Sequence, residues 1–168
     1  MSHAEEIIAC IPRLRRYARA LTGNRAIADD LVQDTLERAW GRFHLWRRGS
    51  DLRAWLFTIM HNLYVNQRRS RPAEWSLEVR GKKSELPARA TQEDNLEIRD
   101  LVAALRRLPD EQREVVLLVG LEQMSYQEAA QVLGIPLGTV MSRLSRGRER
   151  LRVLMSDGTS TPQLKIVR

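Results

Sequence analysis

The 168-residue chain carries a formal net charge of +7, and only Lys82, Lys83 and Lys165 of its 28 basic residues are lysine. Arginine's planar, permanently charged fork suits phosphates and guanine edges, so this balance fits a polyanionic partner. One cysteine excludes an internal disulfide, His3, His44 and His61 lack metal-ligand spacing, and no phosphate loop, nucleophile elbow or carboxylate pair occurs, so no active site, metal or cofactor is expected.

The opening "MSHAEEIIAC" has acids where a signal peptide needs bases, and no apolar run reaches membrane-spanning length, so a soluble, cytoplasmic protein is expected. Ile7, Ile8, Ile11, Leu14, Ala18 and Leu21 recur at helical spacing, and Gly23 ends that helix. Cys10 lies within this stripe and reads as buried packing.

Ala28, Leu31, Val32, Thr35, Leu36, Ala39 and Trp40 mark a second helix, ended by Gly41. Its polar side carries Asp30, Gln33, Asp34 and Glu37 at i, i+3, i+4 and i+7, a narrow acidic stripe in a basic protein. Taken alone, that stripe reads as a solvated face. The loop "GRFHLWRRGSD" follows, with aromatics and arginines together. A third helix, opened by Ser50 or Asp51 and extending to about Arg69, places Thr58, Asn62, Asn66 and Arg69 along one polar side. Arginines, asparagines and aromatics in one region suit unstacked bases and backbone phosphates. Trp40 and Trp55 are expected in the core.

Residues 73–95 lose the periodicity and read as a flexible linker. Helical spacing returns with Ile98, Leu101, Val102, Leu105 and Leu108, and after Pro109 the run "EQREVVLLVGLEQM" reads as a mostly buried helix. Then comes "SYQEAAQVLGIPLGTVMSRLSRGRERLR". Ser125 with Glu128 forms a capping box, Gly134 supplies a left-handed turn, and Pro136 suits the start of another helix. Short helix, tight turn and second helix make a helix-turn-helix. Val140, Leu144, Gly147 and Leu151 form its buried stripe, leaving Ser142, Ser145, Arg146 and Glu149 outward, flanked by Thr139, Met141 and Arg143. Short hydroxyls and arginines on such a face suit the DNA major groove. Net charge is +6 over residues 1–72, −1 over 73–95 and +2 over 96–168, so two basic lobes flank a linker.

"ADDLVQDTLERAW" (28–40), "LRAWLFTIMHNLYVNQRR" (52–69) and the 108–152 segment together resemble the bacterial RNA polymerase sigma factors, of the extracytoplasmic-function (ECF) type. The resemblance spans roughly residues 5–155. It implies an all-α chain of two small helical domains. Residues 1–72 would be the sigma-2 domain, 73–95 a flexible linker, 96–155 the sigma-4 helix-turn-helix domain and 156–168 a tail. It implies that Asp30, Gln33, Asp34 and Glu37 dock on the β′ coiled coil of core RNA polymerase, whose β subunit is also contacted. That overturns the solvated-face reading of the stripe. Trp46, Arg47, Arg48, Ser50 and Asp51 would take up a flipped base of the minus-ten element, with Asn62 near the melted edge. Asn66, Arg68 and Arg69 would meet the upstream duplex. Thr139, Met141, Ser142, Arg143, Ser145 and Arg146 would read the minus-thirty-five element. Met141 departs from the family, which commonly has lysine or arginine there, and a thioether cannot donate to guanine or phosphate. The resemblance also implies promoter DNA and an anti-sigma factor as partners, with no membrane insertion and no catalysis by the chain itself. A helix-turn-helix regulator, and a sigma mimic that titrates an anti-sigma factor, are the rival expectations.

Overall fold

The computed structural model describes residues 2–70 and 92–158, in which all the regular structure is helical. The tail beyond Gly158 and the greater part of the expected linker, residues 73–91, lie outside the described residues.

Helix α1 (His3–Thr22) begins at a reciprocal cap: the Glu5 N–H donates to Ser2 Oγ, and the Ser2 N–H donates to Glu5 Oε2. It ends at Gly23, whose φ of +66° is the left-handed conformation that favours glycine. Asn24 caps α2 (Arg25–Gly41) by accepting the Ile27 N–H at 3.1 Å. A single 3₁₀ turn, Phe43–Leu45, leads into the loop before α3 (Leu52–Ser70), and Asp51 Oδ1 accepts the Ala54 N–H.

The second lobe starts with α4 (Gln92–Arg107), four residues before the expected boundary at 96. Pro109 separates α4 from α5 (Asp110–Val116). The single helix expected over residues 111–124 is interrupted. Leu117–Leu121 form a π-turn, in which the Glu122 N–H reaches back five residues to the Leu117 carbonyl. The turn brings Glu122 inward, where it is 2% exposed. Helices α6 (Tyr126–Leu133) and α7 (Leu137–Gly158) complete the lobe, joined through Gly134 at φ +64°.

One hydrophobic cluster runs through both lobes. Leu14, Tyr17, Leu31, Phe57, Met60 and Tyr64 from the first are continuous with Leu105, Val115, Leu118, Ala129, Val132 and Val140 from the second. Helix α3 packs on α6, and α1 packs on α2, α4 and the π-turn. Arg113, 8% exposed, ties the pieces together. Its guanidinium donates to the carbonyls of Leu105, Arg106 and Leu108, to Leu21 of α1, and to Asp110. Those carbonyls lie at or just past the C-terminal ends of α1 and α4, where helices run out of N–H donors, although that of Leu105 also accepts the Leu108 N–H at 3.2 Å.

Trp40 is not a core residue: it is 66% exposed. The buried face of α2 runs through Leu31, Thr35 and Ala39, and the step from Ala39 to Trp40 turns the indole about 100° out of it. Trp55 and Cys10 are half-buried against the core. Burial is the main cause that pushes the Cys10 thiol up. Among the described residues, no helix is long and apolar enough to cross a membrane.

Candidate docking and nucleic-acid surfaces

Asp30, Gln33, Asp34 and Glu37 are all exposed on α2, opposite its buried face. Gln33 Nε2 donates to Glu37 Oε1 at 3.3 Å, and Gln67 of α3 donates to Asp34 Oδ2 at 3.0 Å. The exposed Trp40 lies one turn beyond Glu37, giving this polar face an aromatic end. Between α1 and α2 a groove lined by Arg15, Arg19, Arg25, Val32 and Leu36 reaches Gln33 and Glu37. The face is therefore acidic with a basic border, and the arginines from α1 are not visible in the α2 sequence.

The loop between α2 and α3 is an aromatic cluster. Phe43 lies 5.3 Å from Trp46 and 6.2 Å from Trp55, ring centroid to centroid. His3, from the first turn of α1, completes it at 4.7 Å from Phe43 and 6.0 Å from Trp46. Trp46 is half-buried, while Arg47, Arg48, Ser50 and Asp51 are exposed. Ser50 Oγ donates to the Arg47 carbonyl at 2.7 Å, closing the turn around Gly49, whose φ is +91°. His3, set aside in the sequence for want of a spaced partner, is part of this site because the fold returns the loop to the start of α1.

On α3, Asn62, Asn66 and Arg69 are exposed along one side. Thr58 is half-buried and spends its hydroxyl on the Ala54 carbonyl. Arg68 is engaged differently: its guanidinium lies over the Tyr64 ring, 5.5 Å from the centroid, and pairs with Asp110 of the second lobe.

Helix α7 buries Val140, Leu144 and Gly147, with Leu151 half-buried. Gly147 leaves no room for a side chain: a Cβ there would stand 2.7 Å from Val116 Cγ2, so glycine sets how closely α7 lies on α5. Met141, Ser142, Ser145 and Arg146 are exposed, Thr139 is half-buried, and Arg143 Nη2 lies 3.7 Å from Glu111 Oε2. A groove between α6 and α7 is lined by Tyr126, Met141, Ser145, Arg148 and Arg152. Met141, exposed on this groove, presents an apolar side chain, which suits a thymine methyl rather than a guanine edge. Arg152 donates to Glu149 at 2.6 Å and holds that carboxyl below its ordinary range. Among the described residues no group of three or more histidine, cysteine or acidic side chains is disposed to hold a metal ion.

Residues 7–61 match the family model described as the sigma2 domain of PhyR, and residues 98–151 match sigma-70, region 4. Over 151 residues the chain is 40% identical to the ECF RNA polymerase sigma factor EcfG of Rhodopseudomonas palustris (strain TIE-1), spanning 90% of this chain and 83% of that protein. It is 36% identical over 154 residues to the ECF RNA polymerase sigma factor SigL of Mycobacterium tuberculosis, spanning 86% of this chain and 83% of that protein. The sigma factor RpoE of Bartonella quintana, solved in complex with the anti-sigma factor NepR, matches with a TM-score of 0.77 at 37% identity. That match covers 91% of this chain and 96% of the other.

Proposed function

The chain belongs to the ECF RNA polymerase sigma factors, and from that membership we propose how its surfaces divide the work of starting transcription. The α2 face of Asp30, Gln33, Asp34 and Glu37 binds the β′ coiled coil of core RNA polymerase. The loop of Trp46, Arg47, Arg48, Ser50 and Asp51 takes up an unstacked base of the minus-ten element. Asn62 contacts promoter bases near the melted edge, and Asn66, Arg68 and Arg69 meet the upstream duplex and its phosphates. Helix α7 enters the major groove of the minus-thirty-five element through Thr139, Met141, Ser142, Arg143, Ser145 and Arg146. The polymerase performs the chemistry; this chain supplies position and the contacts that offset unstacking, a few kcal/mol per extruded base. It acts in the cytoplasm, where polymerase and promoter are.

The observation that carries this reading is the pairing of two different nucleic-acid surfaces in one chain. The exposed hydroxyl and arginine face of α7 suits a duplex, and the aromatic, arginine-bearing loop suits a single strand. A helix-turn-helix repressor needs only the first. Because the lobes share one core, engaging two separate promoter elements requires them to part. An anti-sigma factor that covers the α2 face, α7 or both would hold the protein inactive, as a partner of the kind seen with RpoE.

Run-off transcription with purified core polymerase over a library of genomic promoters tests the proposal. Transcripts that depend on this chain support it. Duplex binding with no transcript favours a regulator. Failure to bind core, combined with capture of an anti-sigma factor, favours the titrating mimic, a reading to be separated because the first lobe matches the PhyR model.

A further inference from the structure

We propose that His3 is a positioning residue for the base-capturing loop, fixing Arg48 and Trp46 from the start of α1. The inference rests on the reading of residues 46–51 as that loop, and extends it to a residue 45 positions away.

His3 Nε2 lies 3.1 Å from Arg48 Nη2. A guanidinium can only donate, so in this bond Nε2 accepts and Nδ1 is the ring's donor. A lysine or a protonated imidazole at this position would offer no acceptor and would repel Arg48. The same ring packs at 4.7 Å on Phe43 and edge-on at 6.0 Å to Trp46, so one side chain holds the charged and aromatic parts of the loop together. Its own backbone is held by the reciprocal Ser2–Glu5 cap, which makes the first turn of α1 a fixed anchor.

The arrangement leaves two donors unspent. His3 Nδ1 and Trp46 Nε1 are both buried and have no acceptor among the described residues. Buried N–H groups are seldom left so. Both lie beneath the surface, so a nucleobase edge, rich in carbonyl and ring-nitrogen acceptors, satisfies them only where the loop opens to admit it, and the exposed Arg47 and Arg48 favour the attached phosphate.

The test uses holoenzyme assembled from the full chain and core polymerase, on a promoter found by run-off transcription and carrying 2-aminopurine in the minus-ten element. His3→Ala is expected to slow promoter opening about tenfold, the effect of losing a hydrogen bond to a charged group. His3→Gln, whose amide oxygen can accept from Arg48, is expected to recover most of the rate. His3→Lys is expected to be no better than His3→Ala, with core affinity unchanged in all three. Arg48→Ala is the internal reference. If Arg48→Ala slows opening and His3→Ala does not, His3 has no positioning role. If His3→Gln is as slow as His3→Ala, the acceptor argument is wrong. If Arg48→Ala and Trp46→Ala both open at the normal rate, the loop itself is misassigned and the inference falls with it.

Discussion

The phenol of Tyr64, on α3, donates to Oδ1 of Asp110, on α5, at 3.0 Å and so joins the two lobes. The same carboxylate accepts from Arg113 at 2.9 Å and pairs with Arg68. Nearby, His61 Nδ1 lies 3.0 Å from Glu114 Oε1, and Arg53 reaches the Glu122 carbonyl and Glu128. The closed arrangement thus occupies Arg68, a side chain assigned to DNA, with a carboxylate from the other lobe.

Asp110→Asn keeps an oxygen for Tyr64 but removes the charge that holds Arg68. Partly exposed ion pairs contribute about 0.2–1 kcal/mol, so binding to a non-specific duplex at low salt should tighten by a factor of about 1.4 to 5. The radius of gyration from small-angle scattering should also rise. Adding Arg68→Ala should remove the gain in affinity. A gain that survives this second change would show that some other group was released.

Core docking is expected to depend on Asp34, Gln33 and Trp40, all exposed and therefore replaceable without loss of fold. Asp34→Lys with Gln33→Ala should weaken binding to core polymerase about tenfold or more. Trp40→Ala should do so independently, since exposed aromatics at interfaces commonly dominate binding energy. Pull-down and competition with wild type measure both, while helical circular dichroism stays unchanged. Undiminished binding in both variants would move the docking site off α2.

Much of this was legible in the sequence because local chemistry fixed it. Ser125 and Gly134 announce the ends of α6, and the structure has the Ser125 cap on the Glu128 N–H and the left-handed turn at Gly134, but the Glu128 carboxylate, expected to complete a capping box, pairs with Arg53 instead. Where long-range packing decides, the sequence is silent. "VVLLVGL" is apolar throughout, so nothing in its periodicity reveals the π-turn that carries Glu122 inward. Arg113 reads as one more surface arginine until the carbonyls of α1 and α4 converge on it. Trp40 misleads for the opposite reason: it is apolar, but one residue past the last core position of its helix.

In the recognition helix, Arg146 is exposed and Arg143 stands near Glu111. Arg146→Ala should cost about 1–3 kcal/mol and relax preference at one promoter position if the guanidinium reads a guanine edge. If it holds only phosphate, affinity should fall evenly across sequences and the salt slope should flatten by about one. Met141→Leu should be tolerated, because both side chains offer only apolar contact. Affinities for a set of single-base variants of the minus-thirty-five duplex separate these outcomes. Wild-type affinity for Arg146→Ala throughout would take that residue out of the interface.

The last prediction concerns alkaline stability, and its sign follows from two phenols. Tyr17 packs edge-on to Phe57 at 5.0 Å, and Tyr64 is wholly buried beside Asp110. Burial, reinforced by Glu114 at Tyr17 and by Asp110 at Tyr64, pushes both phenols well above the ordinary tyrosine value. In the unfolded chain each loses its proton near pH 10, whereas the folded chain retains it. The folded state therefore binds more protons above that pH, and stability must fall as pH rises. The contribution of each phenol is complete below about pH 10 and declines by about 1.4 kcal/mol per pH unit above it. Cys10, also raised, acts in the same direction from about pH 8.5. Tyr64→Phe should lose about 1 kcal/mol at pH 8 with its bond to Asp110, yet decline less steeply above pH 10. Urea midpoints for wild type and variant between pH 8 and 11 should therefore converge. Parallel lines over that range would mean that Tyr64 ionises as readily folded as unfolded, and its burial against Asp110 would have no energetic consequence for the closed form.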